Sequence, residues 1–145
     1  MTSLLVLNGP NLNLLGQRQP EVYGRTSLAD IDEMCHAHGE KIGVKIECLQ
    51  SNHEGALIDT IHAAKGKHAG ILLNAGAYTH TSIALMDAIA SVEIPTIELH
   101  LSNVHAREEF RHTSYIAKYA LGVICGFGSH GYILGIDALK KHVEG

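Results

Sequence analysis

Residues 70–100 read GILLNAGAYTHTSIALMDAIASVEIPTIELH, and their pattern decides the fold. Gly70 to Leu73 is a short apolar run of the kind a buried strand makes. Past Thr79, Ile83, Met86, Ile89 and Ala90 recur at the spacing of one helix face, and the pattern ends before Pro95. Thr96 to Leu99 is a second apolar run. Strand, helix, strand in about 30 residues is a parallel crossover unit.

The same alternation extends to both sides. Upstream lie apolar runs at Leu4 to Leu7 and Val44 to Leu49, and downstream one at Gly122 to Cys125. Thr26-Ser27 precedes Leu28, Ile31, Cys35 and Ile42, a helix face behind a hydroxyl cap. Ser51-Asn52 precedes Leu57, Ile58, Ile61 and Ala64, and Gly66 ends that helix. Beyond Gly131 come Ile133, Leu134, Leu139 and Val143. A fourth, poorly defined helix is expected within Ala106 to Ala120. Alternating β and α elements give a parallel sheet covered on both faces. Five strands imply the flavodoxin-like, doubly wound α/β order 2-1-3-4-5 in one domain over residues 1–145.

Composition narrows the function classes. The 145 residues are one domain's worth, 46% apolar, with a net charge of −4. No Lys/Arg cluster exists to neutralise phosphates, so nucleic acid is not an expected partner. No segment reaches the ~20 apolar residues of a membrane span, and Leu4 to Leu7 is too short a run for a signal peptide. A cytoplasmic protein is expected. Cys35, Cys48 and Cys125 form no CxxC pair and read as small core residues in a reducing compartment.

In an open α/β sheet ligands bind beyond the carboxyl ends of the strands. There the sequence places Asn8 to Asn11, Gln50 to Glu54, Asn74 to His80, Glu98 to His105 and Gly126 to Gly131. Amides, hydroxyls, imidazoles and glycines gather at this edge and not at the other. Each Asn or Ser alone is equally a cap or a turn residue; the combination with Arg18, Tyr23, His80 and His100 points to a site for a polyhydroxylated small molecule. The connection from Asn8 to Arg25 is far longer than the roughly 2–6 residues of an ordinary βα loop. It is expected to form a lid at about residues 11–25.

These residues resemble a known family. Asn8-Gly9-Pro10-Asn11-Leu12-Asn13-Leu14-Leu15-Gly16, then Arg18 and Tyr23-Gly24, are similar to the N-terminal signature of type II 3-dehydroquinate dehydratases. Asn74 to Ser82, Glu98 to Asn103, Arg107 to Arg111 and Gly131-Tyr132 follow in the family's order. The resemblance runs from Leu4 to about Val143. It implies a cofactor-free, metal-free hydro-lyase that converts 3-dehydroquinate reversibly to 3-dehydroshikimate through an enolate, in the shikimate pathway.

By resemblance Tyr23 accepts the proton. A phenol titrates near ~10, and burial would raise that further. Lowering it by ~3 units takes roughly 4 kcal/mol of phenolate stabilisation, for which Arg18 on the same loop is the available cation. A loop tyrosine packed on the core beside a solvated arginine would give the same sequence. His100 looks like the proton donor. Glu98, two residues earlier on one strand, points the same way and orients the imidazole. Asn11 stabilises the enolate. Asn74, His80, Leu101, Ser102 and Arg111 carry over as substrate-binding residues. Arg107, one helical turn before Arg111, orders the lid. Asp87 lies seven residues after His80, about 10 Å along a shared helix. The resemblance sends it to a neighbouring subunit's site, which implies a homo-oligomer, a dodecamer of trimers.

Other readings carry less. Gly126-Phe127-Gly128-Ser129-His130-Gly131 fits GxGxxG, yet it falls on the last strand with no room for a ribose-binding acid. Glu98, His100 and His105 are the best metal candidates but lack any HExxH spacing. A receiver module would want acids where Asn8 and Asn74 stand. A flavin site would want flanking aromatics, and Trp is absent. A Schiff base needs a lysine at the cleft, and the seven lysines fall on helices, turns or the outer strand start at Lys45.

Overall fold

The computed structural model describes residues 1–17, 19, 21 and 25–145; Arg18 and Tyr23 lie outside them. Five strands form one all-parallel sheet in the order β2-β1-β3-β4-β5. They are β1 (Ser3–Asn8), β2 (Lys45–Gln50), β3 (Gly70–Asn74), β4 (Thr96–His100) and β5 (Gly122–Cys125). The described α-helices are α1 (Leu28–Ile42), α2 (Glu54–Ala64), α3 (Ile83–Val92) and α4 (His130–Glu144). The expected doubly wound order is the one observed.

Strand side chains alternate between the two faces. Leu4 and Val6 of β1 pack with Ile31, Cys35, Leu72, Leu99, Tyr132 and Ile136, beneath α1 and α4. Leu5 and Leu7 pack with Leu57, Ile61, Leu73, Leu85 and Ile89, beneath α2 and α3. Every residue of β3 and β4 is buried; β3 accordingly reads as an apolar run, while β4 also buries the polar side chains of Thr96, Glu98 and His100. At the edge, Val123 of β5 is exposed.

Local chemistry sets the helix ends. Ser27 and Asp30 form a reciprocal capping box on α1, and Gly43 ends that helix at φ 81°. The Ser82 hydroxyl accepts the Leu85 N–H and starts α3. That helix therefore begins later than Thr79 implies. Gly76–His80 is a separate 3-10 turn, so His80 and Asp87 do not share a helix.

The connection from β4 to β5 departs from expectation. It carries no α-helix between Ala106 and Ala120 but two 3-10 turns, Val104–Ala106 and Glu109–His112. Side chains hold it in place of a helical ladder. Asn103 Oδ1 accepts the His105 N–H, the Ser114 hydroxyl accepts the Ala117 N–H, and Ile116 is fully buried.

The GxGxxG run makes a turn. Gly126 sits at φ 94°, where a Cβ would lie 3.2 Å from that of Asn103. The Gly128 N–H donates to the Leu101 carbonyl at 3.0 Å, fastening the end of β5 to the end of β4.

Candidate active site

The carboxyl ends of β1, β3 and β4 open on a cleft of about 170 Å³. It is smaller than the roughly 300–1,000 Å³ of drug-sized pockets and suits a single-ring metabolite. Asn11, Asn74, His80, His100, Leu101, Ser102 and Arg111 all line it, as does Arg107. Sequence reasoning placed these residues on four separate stretches, and the topology brings them together.

His100 ends β4 and is 6% exposed. Its Nε2 lies 2.6 Å from Glu98 Oε2. Both side chains leave the same strand on the same side, as an i, i+2 pair must. The other carboxylate oxygen, Oε1, accepts the Ser114 hydroxyl at 2.6 Å. Both oxygens of Glu98 are thus engaged by protein donors, while the His105 ring packs 5.7 Å from that of His112. Glu98, His100 and His105 do not converge on a metal, and among the described residues no group of three potential ligands does. Among the described residues no lysine lines the cleft.

His80 stacks on His100, with ring centroids 6.0 Å apart and planes 15° from parallel. Its Nδ1 donates to the Thr113 carbonyl at 2.8 Å, which leaves Nε2 for the cleft. Burial, and then the charges of His100 and Arg111, push its pKa below the ordinary imidazole value. The lowered value favours the neutral ring, whose Nε2 is a hydrogen-bond acceptor.

Asn74 is 3% exposed and held from both ends of its amide. Its Nδ2 donates to the Tyr132 hydroxyl at 3.1 Å, and its Oδ1 accepts the Gly76 N–H at 3.3 Å. The Tyr132 hydroxyl in turn donates to Asn8 Oδ1 at 2.6 Å. Burial pushes the Tyr132 phenol well above its ordinary value, so this tyrosine is a hydrogen-bonding strut and no base. The sequence flagged Tyr132 within a motif without revealing this role.

Asn11 sits at φ 69°, a left-handed conformation that asparagine tolerates. Its N–H donates to Asn52 Oδ1 at 3.0 Å, and Gln50 Nε2 steadies that oxygen at 3.1 Å. The polar residues after β2 thus shape the loop after β1. Where the long connection leaves and re-enters the described chain, its ends meet: a Cβ on Gly16 would lie 2.9 Å from the Arg25 carbonyl oxygen. The described ends of the connection expected to form the lid therefore lie side by side.

The two cleft arginines share a carboxylate: Glu108 Oε1 lies 3.8 Å from Arg107 Nε and 3.1 Å from Arg111 Nε. Arg107 Nη1 donates to Ser102 Oγ at 3.2 Å, so Arg107 is part of the cleft itself. Arg111 Nε donates to Glu108 at 3.1 Å. The Glu108 backbone N–H, and then Arg111, hold the Glu108 carboxyl below its usual range. Asp87 is exposed on α3 and does not line this cleft.

The opposite edge of the sheet, where the sequence shows no such gathering of polar residues, holds a hydroxyl, an imidazole and a carboxylate in contact. Ser3 Oγ lies 2.8 Å from His68 Nδ1, and His68 Nε2 lies 2.9 Å from Glu47 Oε1. Cys35 and Cys48, far apart in sequence, also meet. The neighbouring Cys35 thiol and burial push the half-buried Cys48 thiol strongly upward.

A buried imidazole–carboxylate pair thus stands at the carboxyl end of a doubly wound sheet, on a cleft also lined by amides and guanidinium groups. The profile of the family described as Dehydroquinase class II matches residues 2–140. A protein of Ruegeria pomeroyi named 3-dehydroquinate dehydratase is 68% identical over 144 residues, covering 99% of this chain and 97% of that one. One of the same name from Nostoc is 59% identical, covering 99% and 97%. The crystal structure of a type II dehydroquinase from Butyrivibrio crossotus superposes with a TM-score of 0.94 at 47% identity, covering 96% of this chain and 97% of that one. That of the type II dehydroquinase from Propionibacterium acnes gives 0.92 at 37%, covering 100% and 98%. The chain belongs to the class II dehydroquinase family and is a hydro-lyase.

Proposed function

We propose that the cleft eliminates water from 3-dehydroquinate through an enolate, by acid–base chemistry without a Schiff base or metal. The observation that carries this reading is His100, seated on the Glu98 carboxylate and open to a cleft lined by neutral amides and cations. Loss of a proton α to a ketone and of a hydroxyl β to it needs a base, an enolate stabiliser, an acid and a carboxylate clamp.

Tyr23 takes the base role, with Arg18 stabilising its phenolate; both assignments rest on the resemblance of the N-terminal motif. Asn11 lines the cleft and stabilises the developing oxyanion as a hydrogen-bond donor. His100 protonates the departing hydroxyl. Ser102, with the backbone at Leu101, holds the substrate carboxylate, and Arg111 adds positive charge. Asn74 and neutral His80 take the ring hydroxyls.

The exposed position of Asp87 on α3 supports its service in a neighbouring subunit's site, within a dodecamer of trimers acting in the cytoplasm. No described helix is long and apolar enough to cross a membrane.

The direct test is the absorbance of a conjugated enone formed from 3-dehydroquinate. Tyr23→Phe should abolish turnover while substrate binding survives. Unchanged turnover in that variant removes Tyr23 from the mechanism.

A further inference from the structure

We propose that Ser114 is a positioning residue for the acid step, fixing through Glu98 which nitrogen of His100 faces the cleft. This rests on the reading of His100 as the acid and deepens it.

A serine hydroxyl has one proton to give. The Ala117 N–H donates to the Ser114 oxygen at 3.0 Å and occupies it as an acceptor. The Ser114 proton is therefore directed to Glu98 Oε1, 2.6 Å away. With Oε1 accepting from serine, Oε2 accepts the Nε2–H of His100 at 2.6 Å. Each bond sets the direction of the next. The ring is left with Nε2–H toward the carboxylate, and Nδ1 has no hydrogen-bond partner among the described residues.

This polarity suits proton donation. When the imidazolium form of His100, protonated on both nitrogens, gives its Nδ1 proton to the departing hydroxyl, the enolate collapses, the C–O bond breaks and water leaves. The tautomer that remains carries its proton on Nε2, the form the Glu98–Ser114 chain already holds. No ring flip or proton shuffle is needed before reprotonation.

Ser114 is itself firmly placed. The next residue, Tyr115, donates its N–H to the Thr79 carbonyl at 3.0 Å, and Ile116 is fully buried. The preceding residue, Thr113, accepts the Nδ1–H of His80 at its carbonyl. One short, anchored segment of the β4–β5 connection thus orients both stacked imidazoles. This explains why that connection uses side-chain-pinned turns rather than a helix.

The test compares kcat and KM for Ser114→Ala, Ser114→Thr and Ser114→Val with 3-dehydroquinate as substrate. Ser114→Ala should lower kcat about tenfold, part of the roughly 10²–10⁴ a general acid contributes, with KM nearly unchanged. Ser114→Thr should restore turnover. Ser114→Val, which fills the space of Thr without the hydroxyl, should not; this pair carries the test if the Ala variant fails to fold. In a Glu98→Gln background the further loss from Ser114→Ala should shrink. Wild-type kcat in Ser114→Ala or Ser114→Val, or an undiminished loss in the Glu98→Gln background, overturns the inference. His100→Ala separates the two layers. If it is inactive while the Ser114 variants are normal, only the role of Ser114 falls; full turnover in His100→Ala removes the acid reading and this inference together.

Discussion

The two edges of the sheet hold the same trio of groups put to different ends. At the carboxyl edge stand Ser114, Glu98 and His100; at the amino edge, Ser3, Glu47 and His68. Both imidazoles are buried, at 6% and 7% exposure. The difference lies in what each leaves unspent. His68 uses both ring nitrogens on protein partners, which ties β1, β2 and the start of β3 together. His100 uses one on Glu98 and turns the ring to the cleft. A satisfied imidazole holds a fold, and a half-satisfied one beside a cavity can move a proton.

The sharpest way to break this contrast is to delete each ring in turn. His100→Ala should lower kcat by about 10²–10⁴ with the fold intact by circular dichroism. His68→Ala should leave kcat unchanged and cost about 1–3 kcal/mol in urea unfolding, because Glu47 and Ser3 lose a buried partner. If activity followed His68 and stability followed His100, the comparison would be inverted and wrong.

Acid titration sharpens it further. His68, ahead of Lys67, holds the Glu47 carboxyl below its ordinary value of 4.5. A depressed carboxylate contributes stability that is present above that value and lost as pH falls through its folded value. Thermal melts of Glu47→Gln should therefore lose less between pH 5 and about 3 than those of wild type. Parallel melting curves for the two proteins would contradict the pairing.

The smallest effect belongs to His80. Its folded pKa lies below the ordinary 6.5, so the native state resists its protonation. Its contribution to stability is complete above that value and declines as pH falls below it. His80→Gln should flatten the stability curve just below neutrality. A curve unchanged by that substitution would mean His80 titrates normally.

Much of this was legible in the residues. Gly70 to Leu73 reads as a strand because a strand covered on both faces needs no alternation. The cleft residues were found because a parallel sheet sends every βα turn to one edge. The β4–β5 connection was not legible. Its course depends on Ser114 reaching Glu98 and Ile116 reaching the core beneath α2 and α3, and no local periodicity encodes that. The amino-edge trio was hidden for the same reason: Ser3, Glu47 and His68 sit on three segments, each ordinary by itself. Asp87 was separated from His80 by Ser82, whose capping role shows only once the Leu85 N–H is seen to reach it.

The most direct test of the central claim is the rate of enone formation from 3-dehydroquinate by wild-type protein and His100→Ala, measured side by side. The wild type should turn over, and the variant should fall by about two orders of magnitude or more. Equal rates in the two proteins would contradict the assignment of the proton-donating step to the imidazole on Glu98.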